Sequence, residues 1–196
     1  MGRAIFFDFD STLTTPIKID RFGRFAIADN PIIYSAMTPE EIVSNFGGGD
    51  RLYQLGVFFQ SLHEAGCELF IVSIGFKDAC IIPHLNKVGL MQYFQEDHVF
   101  GQETDALRKH RHVKADLIKE IMERRGWTAQ DALFTDDSER HITPARKVCQ
   151  VLHVSGHGLT FAEMDEILKW GQRAAAVSGS AGAALGLVGA SGGSTA

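Results

Sequence analysis

The sequence has no surplus of positive charge, no Cys-x-x-Cys pair and no long uninterrupted hydrophobic run. Its 19 lysines and arginines are outnumbered by 24 aspartates and glutamates, which leaves a formal net charge of −5. This balance argues against a general nucleic-acid binder, because no excess of cations remains to neutralise a phosphate backbone. It sets no limit on a small phosphorylated ligand, which responds to local charge only.

Cysteine usage and the N-terminal residues both indicate a cytoplasmic protein. Cys67, Cys80 and Cys149 are odd in number, widely spaced and set in apolar surroundings. This pattern predicts buried, reduced thiols. An acidic segment begins at Asp8, where the hydrophobic region of a signal peptide would run, so no signal peptide is expected.

Short hydrophobic runs alternate with amphipathic segments over residues 1–170, which we expect to form one domain. Buried strands are predicted over residues 4–7, 68–72, 98–100, 132–135 and 148–154. Helices are predicted over residues 39–46, 50–65, 77–88, 113–125, 138–147 and 160–170, with prolines interrupting two of them. The alternation predicts a three-layer α/β/α sandwich around a mainly parallel, Rossmann-like sheet.

Two segments fall outside this alternation. Residues 12–38 are mixed in character, with a hairpin-like stretch from Lys18 to Ile27, and are predicted to form a flap over the site. Residues 171–196 are mostly glycine, alanine and serine without charge beyond Arg173, which predicts a disordered tail. Its glycines and serines also argue against a membrane span.

Polar residues end several of the predicted strands. Asp8, Ser73 and Asp136 each close a strand, and ligands of parallel sheets bind beyond the carboxyl ends of the strands. With Asp10 and Asp137, this edge would gather four carboxylates, and two of them about 4 Å apart repel by roughly 4 kcal/mol at an effective dielectric near 20. A cation is therefore expected, and an all-oxygen ligand set favours Mg²⁺ over zinc.

This arrangement favours phosphoryl transfer. A carboxylate beside Mg²⁺ can attack phosphorus and form an aspartyl-phosphate, while the ion and Lys114, at the start of a predicted helix, neutralise the phosphoryl oxygens. Asp10, two residues beyond Asp8, falls on the same side of an extended strand end and can act as general acid and base. The expected phosphate-binding residues are Thr12, Ser73, Ile74, Gly75 and Lys114.

The same residues resemble the motifs of a known family. The run Asp-Phe-Asp-Ser-Thr-Leu-Thr at residues 8–14 is similar to the Asp-x-Asp-x-Thr signature of the haloacid dehalogenase superfamily, in its phosphatase branch. Residues 71–75 resemble the second motif of that family, Lys114 the third and residues 134–138 the acidic fourth. All of them occur in the family's order, over roughly residues 3–154.

The resemblance implies specific roles. Asp8 would be the nucleophile and Asp10 the general acid and base. Mg²⁺ would be held by Asp8, the backbone carbonyl of Asp10 and Asp136, with Asp137 binding it either directly or through a water molecule. The presence of Asp10 argues against dehalogenase activity, since the haloacid-cleaving members of the family lack this aspartate and need no metal.

The intervals between the motifs leave little room for a separate cap domain, so a minimally capped member of the family is expected. An open site admits large substrates, such as a phosphoprotein or the end of a polynucleotide, unless an oligomeric partner supplies the lid. Two other functions remain open. A signalling receiver domain uses similar residues in a different order, and a binding protein could retain a phosphatase fold without its chemistry.

The basic run at residues 108–112 fits a solvated loop or an anionic-substrate patch equally well.

Overall fold

A parallel sheet forms the centre of the computed structural model, which describes residues 2–17 and 27–182. The strand order is β3-β2-β1-β4-β5, and every neighbouring pair is parallel. The strands are β1 (Arg3–Phe7), β2 (Cys67–Val72), β3 (Val99–Phe100), β4 (Ala132–Asp136) and β5 (Gln150–His153). This confirms the predicted α/β architecture. Strand β5 begins two residues later than predicted, because the amides of Val148 and Cys149 bond the carbonyl of Ala145 instead of a neighbouring strand.

Helices cover both faces of the sheet. They are α1 (Asn30–Ala36), α2 (Pro39–Asn45), α3 (Gly49–Glu64), α4 (Ile82–Lys87), α5 (Asp105–Lys109), α6 (Lys114–Arg125), α7 (Glu139–Ala145) and α8 (Phe161–Gly182). Helices α1 and α5 were not predicted, since each is too short to show a helical repeat of hydrophobic residues. A wide helical turn, Lys77–Ile81, precedes α4 and carries the first half of the helix predicted over 77–88.

The residues of β1 divide the core into two layers. Ile5 and Phe7 pack into the larger cluster, with side chains from α3 and α8, while Ala4 and Phe6 pack into the smaller one, with side chains from α6. This alternation is the period-two pattern of a strand that is buried on both faces. Each fully buried phenylalanine of this kind stabilises the fold by roughly 1.5–3 kcal/mol.

The segment predicted as a flap contributes to the core. Its hairpin-like stretch lies outside the described residues except for Ile27, which begins a short 3₁₀ turn, Ile27–Asp29. Beyond that turn, α1 packs against the turn at 77–81, and Ile33, Tyr34 and Met37 are all buried. Residues 30–37 are thus anchored to the body of the protein by these buried side chains, and the flap over residues 18–26 stays a prediction.

Residues 171–182, the first part of the predicted tail, are helical. Helix α8 continues to Gly182, and residues 183–196 lie outside the described part of the chain. Gly171 lies so close to β2 that a Cβ at this position would be 3.0 Å from Cys67 Sγ. The alanines at 174–176 favour continuation of the helix. Within residues 2–17 and 27–182, no helix is both long enough and apolar enough to cross a bilayer.

Candidate active site

The polar residues at the strand ends meet because their strands are neighbours. Strand β1 lies between β2 and β4, with Phe7 level with Ile71 on one side and Thr135 on the other. Asp8 follows directly and donates its amide to the Thr135 carbonyl at 2.9 Å. Ser73 follows β2 on the other side. The predicted convergence is thus a consequence of sheet order and register.

A buried ammonium joins two of the carboxylates. Lys114 Nζ lies 2.7 Å from Asp8 Oδ1 and 2.7 Å from Asp136 Oδ2, and the lysine is only 1% exposed. Burial alone would lower the pKa of this amine, but the attraction of Asp8 and Asp136 outweighs burial and raises the pKa. Lys114 therefore remains charged and fixes the spacing of the two carboxylates.

Asp137 completes a group of three acids. Asp8, Asp136 and Asp137 each offer a ligand atom, and these atoms all lie within 4.8 Å of one another. Burial, and then repulsion by Asp8, raise the pKa of Asp136 to about 6, and the same two causes raise the pKa of Asp137. The group thus has more negative charge than Lys114 offsets, and its oxygen donors fit a hard divalent cation such as Mg²⁺.

Asp10 lies apart from this group and has different surroundings. Its Oδ1 accepts a hydrogen bond of 2.5 Å from the Tyr34 hydroxyl. Its Oδ2 lies on the side of Gly75, where a Cβ would be only 2.9 Å away. Burial raises the pKa of Asp10 to about 6; the Tyr34 hydrogen bond opposes this, and the negative charge of Asp8 adds to it. The Asp10 carboxyl can therefore gain or lose a proton near neutral pH.

The turn Phe9–Leu13 sets the direction of Asp10. Within it, Ser11 has a φ of 60°, in the left-handed region that few residues other than glycine adopt. Arg51 holds the end of this turn from outside, since its Nη1 donates to the carbonyls of Leu13 at 2.8 Å and Phe46 at 2.7 Å. The same guanidinium donates through Nε to the Leu159 carbonyl at 3.2 Å. Arg51 thus connects three separate parts of the chain.

The left-handed turn also determines which hydroxyl reaches the site. Ser11 lines the cavity, whereas Thr12 is fully buried and its Oγ1 has no hydrogen-bond partner within the described residues. The structure therefore does not bring Thr12 to the phosphate-binding position that the sequence suggests. On the opposite wall, the Gly75 amide donates to Ser73 Oγ at 2.9 Å, which fixes the serine hydroxyl beside the cavity.

These residues surround an open cavity of about 360 Å³. Its lining combines the acidic group with the loop after β2 and with residues from the segment after β1: Asp8, Asp10, Ser11, Thr15, Pro16, Ile17, Asn30, Ser73, Ile74, Gly75, Lys114, Asp137, Ser138 and His141. Burial, and then the charge of Lys114, lower the pKa of His141 to about 4, so its imidazole is neutral.

The basic run at 108–112 does not line this cavity. Lys109 and His110 both bind Glu120, at 2.9 Å and 2.6 Å, and His112 Nε2 lies 3.0 Å from the Gln102 carbonyl oxygen. Three of its five residues are thereby committed to contacts within the chain, and the run spans the end of α5 and the turn after it, so the structure does not support its interpretation as a substrate patch.

Comparisons with known proteins find similarity in structure. No protein-family model and no curated protein matches the sequence. Among solved structures, the chain is similar to the haloacid dehalogenase domain of the effector protein Lem4 from Legionella pneumophila, an inactive mutant, with a TM-score of 0.57 and 11% identity over 91% of this chain and 98% of that one. It is similar to an L-2-haloacid dehalogenase, with a TM-score of 0.52 and 15% identity over 87% and 99% of the two chains. It is also similar to a phosphoserine phosphatase in its apo form, with a TM-score of 0.51 and 15% identity over 86% and 98%.

Identities of this size show the fold alone. The chain has the haloacid dehalogenase-like fold, as its motifs suggest, with a five-stranded parallel sheet between helices. The three similar structures include a dehalogenase and a phosphatase, so one fold supports different reactions. The reaction of this protein has to be inferred from its own site.

Proposed function

We propose that the protein is a Mg²⁺-dependent phosphomonoester hydrolase that forms an aspartyl-phosphate on Asp8. The observation that carries this proposal is the pair of carboxylates with opposite surroundings in one cavity. Asp8 is held 2.7 Å from the buried ammonium of Lys114, which fixes the position of the proposed nucleophile. Asp10 is partly buried and its pKa is raised to about 6, which suits a group that must exchange protons near neutral pH.

The proposed reaction has two steps that use the same residues. In the first, a carboxylate oxygen of Asp8 bonds to phosphorus, the bond from phosphorus to the ester oxygen breaks, and Asp10 gives its proton to the leaving oxygen. In the second, Asp10 takes a proton from water, and that water oxygen displaces Asp8 from phosphorus. Lys114 and the Ser73 hydroxyl stabilise the phosphoryl oxygens in both steps.

Asp8, Asp136 and Asp137 would hold Mg²⁺ with the Asp10 carbonyl, in agreement with the ligand atoms that the three carboxylates present within 4.8 Å of one another. The ion would offset the repulsion between these acids and the charge of a phosphoryl group. Asp10 contributes its carbonyl alone to this set, which leaves its carboxylate for proton transfer.

We further propose that the substrate is large, with a phosphoprotein as the first choice. The cavity of about 360 Å³ is open. Within the described residues, the helices between β1 and β2 pack on the body of the fold and form no separate domain: α3 contacts β2, and α1 contacts the turn at 77–81. A panel of phosphopeptides, phosphosugars and nucleotides tests this proposal, since a preference for phosphosugars would contradict it.

Two alternatives have less support. A receiver domain has the flavodoxin-like strand order 2-1-3-4-5, whereas this sheet has the order β3-β2-β1-β4-β5. Dehalogenase activity has no use for a second, proton-exchanging carboxylate such as Asp10. A binding protein that had lost its chemistry would gain nothing from keeping Asp10 beside Asp8 in the cavity, because burial and the charge of Asp8 both oppose ionisation of the Asp10 carboxyl.

The direct test is hydrolysis of 4-nitrophenyl phosphate. We expect turnover with Mg²⁺, loss of turnover in excess EDTA, and a loss of roughly three orders of magnitude or more in Asp8→Asn, as for removal of other catalytic nucleophiles. The exposed Asp50→Asn in α3 is the matched control and should keep full activity. Rapid quenching followed by mass spectrometry should find phosphate on the peptide that contains Asp8. Equal activity in all these samples would rule out the proposal.

A further inference from the structure

Helix α1 brings an aromatic hydroxyl to the proposed acid and base. The Tyr34 hydroxyl donates to Asp10 Oδ1 at 2.5 Å, and Tyr34 is only 2% exposed. Hydrogen bonds from a hydroxyl to a carboxylate are short, 2.5–2.7 Å, and roughly twice as strong as bonds between neutral groups.

The two carboxylate oxygens of Asp10 therefore have different surroundings. Oδ1 is occupied by Tyr34, whereas Oδ2 lies beside Gly75, where a Cβ would be 2.9 Å from it and 3.3 Å from Ser73 Oγ. Gly75 and Ser73 line the cavity. Oδ2 thus lies on the side of Asp10 that faces the loop after β2, where the phosphorylated group is proposed to bind.

The Tyr34 ring is itself held in place. Its centroid lies 4.3 Å from that of the His84 imidazole in α4, and His84 is 1% exposed. The helix that carries Tyr34 packs against the turn at 77–81, which leads into α4. The phenol therefore reaches Asp10 from a fixed direction, with no freedom to follow the carboxylate if it turns.

We propose that Tyr34 is a positioning residue that holds Asp10 in the one rotamer in which Oδ2 faces the substrate. The kinetic part of this inference rests on the proposed hydrolase function. In that reaction, the proton on Oδ2 passes to the ester oxygen as the phosphorus–oxygen bond breaks, and Oδ2 later accepts a proton from the attacking water. Without the Tyr34 bond, Asp10 divides its time among several rotamers, and both proton transfers slow down.

Tyr34→Phe tests this, because it removes the hydroxyl and keeps the ring against His84. The value of kcat/KM reports steps up to departure of the leaving group, which a poor leaving group cannot complete without a proton. We expect kcat/KM of Tyr34→Phe to fall by about tenfold or more for an alkyl phosphate and clearly less for 4-nitrophenyl phosphate, with KM nearly unchanged. The exposed Tyr53→Phe in α3 is the matched control and should match wild type on both substrates. Equal losses on both substrates, or no loss, would overturn the positioning role.

A crystal structure of Tyr34→Phe gives a second measurement that does not depend on activity. We expect Asp10 to leave its contact with Gly75 or to occupy more than one rotamer. A single Asp10 rotamer identical to that of the wild type overturns the inference, whatever the protein hydrolyses. If wild type shows no Asp8-dependent hydrolysis, the function proposal fails, and this rotamer comparison still decides the role of Tyr34.

Discussion

Asp10 and Gly75 approach each other so closely that a Cβ on Gly75 would lie 2.9 Å from Asp10 Oδ2. The glycine thus leaves the space that this carboxylate oxygen occupies. The contact joins the turn after β1 to the loop after β2. It explains why a residue without a side chain is needed at a position whose φ is not unusual.

Gly75→Ala should therefore impair activity far more than stability. The added methyl group displaces Asp10 from its position, and misplacement of a catalytic group by about 1 Å can cost on the order of a hundredfold in rate. We expect kcat/KM to fall at least about tenfold, with a melting temperature close to that of wild type. Gly56→Ala in α3 is the control, because the nearest neighbour of its Cβ would be Tyr93 Oη at 3.6 Å, an ordinary contact distance. Wild-type kinetics in Gly75→Ala would contradict this explanation of the contact.

Lys114→Met should destabilise the protein and abolish hydrolysis. Removal of the ammonium leaves Asp8 and Asp136 buried without their partner at 2.7 Å, and loss of one member of a buried ion pair costs about 3–5 kcal/mol. Denaturant unfolding in EDTA measures this cost, and addition of Mg²⁺ should restore part of it by offsetting the same carboxylates. Lys119→Met, 62% exposed on the same helix, should change stability by less than about 0.5 kcal/mol. A Lys114→Met protein as stable as wild type would show that the pair does not hold the site together.

Arg51→Met should loosen the turn that carries Asp10. The guanidinium bonds the carbonyls of Leu13, Phe46 and Leu159, and hydrogen bonds of charged groups contribute about 1.5–3 kcal/mol each. Because Arg51 is half-buried, we expect a loss of about 2–4 kcal/mol in unfolding free energy together with a lower kcat. Arg146→Met, at an exposed position where the arginine pairs with Glu139, serves as the control and should change neither quantity appreciably. Full activity in Arg51→Met would show that the turn keeps its conformation without the hydrogen bonds of Arg51.

His84 should make the protein less stable in mild acid. Burial, and then the charge of Lys87, lower the pKa of His84 to about 4, whereas the unfolded chain takes up this proton near pH 6.5. The contribution is therefore fully present above pH 6.5 and is lost as the pH falls towards 4, by up to about 3 kcal/mol. Asp10 and Asp136, whose pKa values are raised to about 6, instead make the protein more stable as the pH falls, and they do so in wild type and in the variant alike.

The comparison of wild type with His84→Phe isolates this effect. The difference in unfolding free energy between wild type and variant should be constant above about pH 6.5 and should shift against wild type as the pH falls towards 4. His157→Gln, at an exposed position, should follow wild type throughout. Parallel curves for wild type and His84→Phe would show that His84 takes up its proton as readily in the folded chain as in the unfolded chain.

The sequence predicted those site residues whose positions follow from local pattern. Asp8, Ser73 and Asp136 end hydrophobic runs, and Lys114 begins an amphipathic helix, so sheet topology alone brings them together. Tyr34 was missed because it contacts Asp10 from a short helix 24 positions away with no periodic signal.

Other differences have equally specific causes. The exchange of Thr12 for Ser11 at the cavity depends on a left-handed φ that a serine seldom adopts, and no sequence rule indicates it. Arg51 was missed because its partners are backbone carbonyls, which every residue carries. At Gly171, α8 lies close against Cys67 and Leu62, a contact that composition does not reveal.

Strand β1 is paired with a strand on each edge, and the amide of the next residue, Asp8, still donates to the carbonyl of Thr135 in β4. Amides in such a strand exchange their hydrogens with solvent only when the whole sheet opens, whereas the ends of a sheet and exposed loops open far more often. The proposed nucleophile therefore shares the slowest-exchanging part of the molecule. Heat should inactivate the protein in the same cooperative transition that melts the sheet, with no earlier stage in which the fold persists and Asp8 has moved.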